Sequence, residues 1–308
     1  MQRMHLEKVD GIKPDKESED QKLIQDHGNT HEARHLDRIK KTGADVREIK
    51  QFGSSSEEET AAAVKDQVEV IFQARLTKGD FSGMADFIIL GEPDVEGVRR
   101  YEIHDTKLAS KAKPYHIMQL CCYAEMLESI TGYLPERIAV ILGNGDTKSF
   151  RTADFFDYYL RVKSGFESLM ASFDPASDPP TPAPRANHGR WQSYADRWLD
   201  ERDHLVRVAG ITAGQIKKLE AAGILTLTAL ATTDLASVAK LGGETLATLK
   251  RQAYAQWKTR KQAAAASENS HVVPWFEVIP PPPADPSRGL GMLPPASPGD
   301  VFFDIEAK

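Results

Sequence analysis

The stretch 81-FSGMADFIIL-90, followed after a short acidic loop by 99-RRYEIHDTKLA-109, decides how the chain folds. Phe87, Ile88, Ile89 and Leu90 make an apolar run rich in β-branched residues, bounded by Gly83 and Gly91. That pattern reads as a strand. Tyr101, Ile103, Asp105 and Lys107 alternate with Glu102, His104 and Thr106, the period of a second strand. The intervening GEPDVEG carries turn residues, so the two strands form a hairpin.

Such a hairpin gathers charged side chains. Asp105 and Lys107 are two apart and share one strand face, and Asp86 stands within reach on the neighbouring strand. Two adjacent carboxylates repel, and a hard divalent cation relieves the repulsion. Oxygen ligands suit Mg²⁺, which keeps waters for substrate phosphates. A cation held by carboxylates beside a lysine is suited to phosphodiester hydrolysis.

Working outward, 28-GNTHEARHL-36 places His31 and Glu32 near the start of a helical pattern over residues 21–42, which Gly28 would interrupt. A capping signature, Ser56 with Glu59, starts a second helix, and Val70 to Leu76 reads as a strand. Pro114 suits the first turn of a helix that runs to Thr131 and carries Gln119 and Tyr123 four apart on one face. Strands at 137–142 and 148–152 and an amphipathic helix at 154–173, with Phe155, Tyr158, Tyr159, Val162, Phe166 and Leu169, complete one α/β domain.

A Gly-x-x-His helix, a strand Asp, an Asp-x-Lys and a Gln-x-x-x-Tyr helix, in this order, resemble the RecB-like branch of the PD-(D/E)xK nucleases over residues 20–173. The resemblance implies a restriction-endonuclease-like core, a mixed sheet flanked by helices. It implies a Mg²⁺-dependent deoxyribonuclease, with Mn²⁺ a second candidate metal. Asp86 and Asp105 would be ligands, and His31, or alternatively Glu32, the third. Lys107 would act on the scissile phosphate or the attacking water, and Gln119 and Tyr123 would contact substrate or orient the lysine. DNA is the implied partner, with a helicase or other repair proteins beside it, and DNA repair or processing the implied setting. Many such nucleases hold an iron–sulfur cluster on four cysteines. This chain has only the adjacent Cys121 and Cys122, so no cluster is expected. The other reading is a non-catalytic nucleic-acid-binding module on a truncated nuclease fold.

DPASDPPTPAPR and its flank, residues 174–186, read as a stiff proline linker. Residues 187–262 read as all-α. Trp191, Tyr194 and Trp198 fall at the spacing of a packing face. Further on, Gly210-Ile211-Thr212 and Leu241-Gly242-Gly243 each sit between short helices, resembling a tandem helix-hairpin-helix domain. The expected backbone-phosphate contacts come from Gly210, Thr212, Lys217, Gly242, Gly243 and Lys250, because helix N-termini offer free N–H groups. A second proline-rich linker spans residues 263–299. The final 300–308, with Asp304-Ile305-Glu306, resembles the first strand of an RNase H-like exonuclease, cut short. Residues 1–19 are polar and expected to be poorly ordered, and the abrupt start suggests that a helix of the family is missing.

A net charge of −6 in 308 residues, with 41% hydrophobic residues and a pI near 5.9, excludes a polycation that coats DNA but leaves room for a local basic groove. Two adjacent cysteines provide no disulfide framework and fit a reducing compartment. No apolar run reaches the roughly 20 residues of a membrane span. The N-terminus lacks a signal-peptide core, so a cytoplasmic protein without membrane partners is expected.

Overall fold

The structure is a computed structural model that describes residues 6–49, 55–177, 181–266, 273–280 and 292–301. The chain divides into two compact units, residues 17–174 and residues 1–16 together with 175–308.

The first unit is α/β. Its six strands are β1 (Val46–Glu48), β2 (Val70–Lys78), β3 (Phe81–Leu90), β4 (Tyr101–Thr106), β5 (Arg137–Ile141) and β6 (Thr147–Arg151), ordered in the sheet as in the sequence. β1–β2 and β4–β5 are parallel, and the other three pairings are antiparallel. Each parallel pair needs a crossover. Helix α2 (Ser56–Lys65) supplies the first and α3 (Pro114–Thr131) the second. Helix α1 (Glu19–Lys41) precedes the sheet and α4 (Ala153–Ala171) follows it.

Helices cover both faces of the sheet. Ile71, Ala74, Ala85, Ile88 and Ile103 pack with Ile117, Leu120, Ala124 and Leu127 of α3. On the other face Leu36 of α1 packs with Val70, Phe87 and Ile141. α1 opens on a capping box between Ser18 and Gln21 and runs unbroken through Gly28. A glycine costs about 1 kcal/mol against alanine in a helix interior, which packing of Leu36 and Ile39 offsets. The α2 cap falls on Ser55 rather than Ser56, and the Ser55 hydroxyl donates to Glu59 at 2.8 Å. In α4 only Tyr159 is buried, while Tyr158, Val162, Phe166 and Leu169 are exposed.

One irregularity shapes the sheet. In a regular strand residues three apart lie on opposite faces, yet Ile71 and Ala74 enter the same core, as do Ala85 and Ile88. The ladder pairs Phe72 with Phe87 and Ala74 with Ala85, skipping Gln73 and Asp86. Gln73 has φ +52°, a left-handed conformation costing about 1 kcal/mol or more outside glycine. The register is the same on either side, so both strands together shift the faces of their side chains by one residue at the level of Asp86.

The second unit is helical. It contains α5 (Gln192–Glu201), α6 (Ala213–Ala221), α7 (Leu227–Thr232) and α8 (Gly243–Ala265), with 3₁₀ turns at Gly189–Trp191 and Leu205–Arg207. Its core is Leu205, Ile211, Ile216, Leu219, Leu227, Leu230, Leu246 and Leu249. The expectation of a poorly ordered N-terminus is corrected for the described part, residues 6–16, which belong to this unit. Leu6 is buried, Trp191 Nε1 donates to the Ile12 carbonyl at 3.4 Å, and the Asp15 carboxylate accepts from the Ser193 amide at 2.9 Å. The second linker is likewise not all free, since Trp275 meets the Tyr254 ring edge-on, 5.4 Å between centroids, and its amide donates to Thr259. Of residues 300–308, where the last strand was expected, 302–308 lie outside the described residues. Among the described residues no helix is long and apolar enough to cross a membrane.

Candidate active site

β3 and β4 pair with Phe87 opposite His104 and Ile88 opposite Ile103, so Asp86 and Asp105 stand at the next level, where regular pairing stops. Asp86 Oδ2 accepts from both the amide and the hydroxyl of Thr106, each at 2.7 Å. This fixes the carboxylate against the end of β4. Asp105 is 1% exposed and its Oδ2 pairs with Lys107 Nζ. Lys107 lies one residue beyond β4, and its amide donates to Ile141 of β5 at 2.8 Å.

Burial first, and then the neighbouring Asp86 carboxylate, push the Asp105 carboxyl up to about 7, against the pull of Lys107. Glu32 of α1 also raises it. Glu32 itself is raised, by burial and then by Asp86. Its side chain accepts from Gln73 Nε2 at 2.9 Å, so the strained residue of β2 serves to hold an acid of α1 near Asp86. Asp86, Asp105 and Glu32 thus act on one another through their charges beside one ammonium, with Asp105 the buried member.

α3 closes the corner from the other side. Gln119 Nε2 donates to the Tyr123 hydroxyl at 2.9 Å. Burial raises the Tyr123 phenol, the Gln119 bond opposes that, and the Asp105 and Asp86 carboxylates add to it. The ring lies on β3 at Gly83, where an added Cβ would come 2.5 Å from Tyr123 Cε1. Only glycine permits that approach. His116, buried at the start of α3, is lowered by burial and then by Lys107 and Lys113. It was not singled out from sequence.

The structure brings together Asp86, Asp105 and Lys107, with Gln119 and Tyr123 beside them. From α1 it is Glu32, and not the expected His31, whose charge acts on Asp105 and Asp86. His31 is buried and lines a separate cleft. Among the described residues no three His, Cys, Asp or Glu side chains converge as a metal-binding group. The donors nonetheless suit a hard divalent cation, because mutually repelling oxygen donors in a dry site are what such an ion neutralises. Asp86, Asp105 and Glu32 are the side chains that could hold it.

In the helical unit Thr212 caps α6 through a capping box with Gln215, and Gly210 has φ +74°. Gly242 precedes α8 with no side-chain cap, and Glu244 sits in the first turn. Lys217 is exposed. Lys250 is not directed at solvent phosphate as expected. It is half-buried, and its Nζ donates to the Leu235 carbonyl at 3.4 Å.

No protein-family model matches the chain, and no curated protein matches it.

Proposed function

We propose that this protein is a metal-dependent nuclease that hydrolyses DNA phosphodiester bonds, built on a restriction-endonuclease-like core of the RecB-like kind. The observation that carries the reading is the Asp105 carboxyl, buried, paired with Lys107 and raised to about 7 beside Asp86 and Glu32. Perturbed groups of this sort concentrate at functional sites.

Asp86, Asp105 and Glu32 would hold Mg²⁺ or Mn²⁺. When bound, such an ion polarises the phosphoryl oxygen and lowers the pKa of water. Thr106 keeps Asp86 oriented through two hydrogen bonds, and Gln73 does the same for Glu32. Lys107, paired with Asp105 here, would set its ammonium toward the charge that develops on the phosphate. Tyr123 and Gln119 wall the site and position Lys107 by excluding water. The two glycine turns of the helical unit support a helix-hairpin-helix reading, with Gly242 leaving α8 amides open to a strand phosphate.

Cleavage of end-labelled single- and double-stranded DNA, with Mg²⁺ and with EDTA, tests this beside Asp105→Asn. Cutting that needs metal and disappears in the variant is the expected result. Binding without cutting in any metal would instead favour a non-catalytic nucleic-acid-binding module. That second reading draws on the lack of three converged ligands among the described residues.

A further inference from the structure

Helix α1 carries a second feature on the side away from Glu32. His31, Arg34, Arg38 and Lys41 line a cleft of about 420 Å³ with Asn144 and Gly145 of the β5–β6 turn. Asp37 is the single acid in its lining, so three fixed cations face one carboxylate. None of the three is ion-paired among the described residues. Arg38 has one side-chain partner, His35 Nδ1 at 3.4 Å, whereas Arg47, Arg75, Lys40 and Lys78 of the same unit pair with acids.

A second observation points independently to a ligand. His31 is only 8% exposed, and its Nε2 is buried with no hydrogen-bond partner. A buried ring nitrogen left without a partner forfeits its hydration with nothing in return, and native structures rarely tolerate that without use. His31 belongs to the lining of this basic cleft, and an anionic oxygen bound beside it would satisfy both the ring and the cations.

The cleft also adjoins the carboxylate cluster through the backbone. The Gly143 amide donates to the Ala109 carbonyl at 3.2 Å, two residues beyond Lys107. A Cβ on Gly143 would lie 2.6 Å from the Leu108 carbonyl oxygen, so the turn is pressed onto the segment leaving the site. The turn is held by its own bonds, Asn144 Nδ2 to Asp146 at 3.0 Å and the Asp146 amide to Asn144 Oδ1 at 3.0 Å. Arg38 reaches over Gly145, its Nη1 3.1 Å from where a Cβ would stand. The cleft is thus preformed, and Glu32 and His31 are consecutive residues of one helix dividing an acidic corner from a basic one.

We propose that this cleft binds a phosphate of a nucleic-acid strand, with Arg34, Arg38 and Lys41 supplying charge and His31 Nε2 a hydrogen bond. The inference rests on the nuclease reading for what the strand is doing there, but not for whether it binds. Guanidinium groups match two phosphate oxygens at once. A strand seated here would enter the carboxylate corner along the 107–109 segment.

The test uses the full chain in EDTA, with a single-stranded oligonucleotide and a duplex as probes, read by fluorescence anisotropy across a salt series. Arg34→Ala/Arg38→Ala/Lys41→Ala is compared with Lys22→Ala/Lys65→Ala/Arg161→Ala, three exposed cations of the same unit outside the cleft. The cleft variant should weaken binding roughly tenfold or more at low salt, and its log–log salt slope should fall by about 2 on a single strand. The control variant should move neither by a comparable amount. Arg34→Glu alone should weaken binding further than Arg34→Ala, and circular dichroism should show all variants folded. Equal affinity and slope in cleft and control variants would overturn the proposal, as would a wild-type chain that binds no oligonucleotide. Inorganic phosphate displacing the probe at concentrations that act on the wild type but not the cleft variant supports the phosphate chemistry. Saturation of the cleft by phosphate with no loss of oligonucleotide binding would show a free-anion site and overturn the strand. Cleavage in Mg²⁺ is scored in parallel. A wild type that binds through the cleft but never cuts fails the nuclease reading and leaves this inference standing.

Discussion

The cations of the α1 cleft and those of the helical unit carry the same charge but are held differently. Arg207 pairs with Asp200 and with Asp196, and Arg260 with Asp203 and Asp200. Lys250 bonds a backbone carbonyl. These groups join α5, the 3₁₀ turn at Leu205–Arg207 and α8 into one body. Gln256 adds to this by bonding the Arg207 carbonyl and the Ala209 amide. In the cleft, Arg34, Arg38 and Lys41 have no ion pair among the described residues, Arg38 meeting only His35 Nδ1 at 3.4 Å, beside a His31 whose Nε2 is unsatisfied. Charge already neutralised inside a fold contributes to stability, and charge left open is available to a ligand. The unit whose sequence resembles a nucleic-acid binder therefore spends Arg207 and Arg260 on its own fold.

The largest effect expected of any single change separates binding from chemistry. Lys107→Ala should lower cleavage by about 10²- to 10³-fold, as for loss of one preorganised donor. Oligonucleotide affinity at the α1 cleft should stay within about twofold, since Lys107 is not in its lining. Rate measurements under single turnover, with Kd measured alongside, check both. Equal losses in rate and affinity would merge the two regions into one.

Next in size is a dependence on pH. The Asp105 carboxyl is raised from an ordinary 3.8 to about 7, so folding favours its neutral form. The stability it contributes is fully present below about pH 4 and is lost as pH rises through about 7. In EDTA, Asp105→Asn should therefore gain in Tm over the wild type between pH 5 and pH 8. Mg²⁺ should shrink the gap at pH 8 by stabilising the charged form. A gap that is flat with pH would show that Asp105 is ionised throughout.

Smaller again, Arg207→Ala should destabilise the helical unit by about 1–3 kcal/mol, the scale for a charged hydrogen-bonding group removed from its partners. Thr212→Ala should cost about 1 kcal/mol through loss of the α6 cap. Urea denaturation followed by the signal of Trp257, packed on that unit's core, reads both. Arg38→Ala should leave the unfolding of its own α/β unit, followed by circular dichroism of the whole chain, unmoved. If Arg38→Ala destabilised as much as Arg207→Ala, its charge would be structural and the contrast would fail.

Much of the α/β unit was legible in the sequence, for physical reasons that also show where reading stops. Strand β3 was marked by its apolar, β-branched run, β4 by alternation, their connection by turn residues, and α3 by Pro114 at its first position. The pairing of Asp105 with Lys107 followed from the period of two. The slip at Gln73 and Asp86 was hidden, because a glutamine at φ +52° has no composition signal. Choosing between His31 and Glu32 needed the direction of α1 across the sheet, which local pattern does not contain. Spacing made α4 an amphipathic helix, but its exposed Phe166 and Leu169 carry no sequence mark separating them from the buried Tyr159. Lys250 looked like a free cation because a single residue name cannot tell whether its ammonium meets solvent or a carbonyl. No sequence signal for the packing of residues 6–16 exists at all, since its partners stand beyond residue 186.

That last contact bears on the order in which the chain can fold during synthesis. Ile12 and Asp15 find Trp191, Ser193 and Arg190 only after all of residues 17–174 have been made. The α/β unit holds a complete set of strands by Arg151 and can fold while its leading segment waits. The helical unit cannot finish until both ends of its own sequence exist. Deleting residues 6–16 would thus be felt by a unit whose other segments are translated after the α/β one.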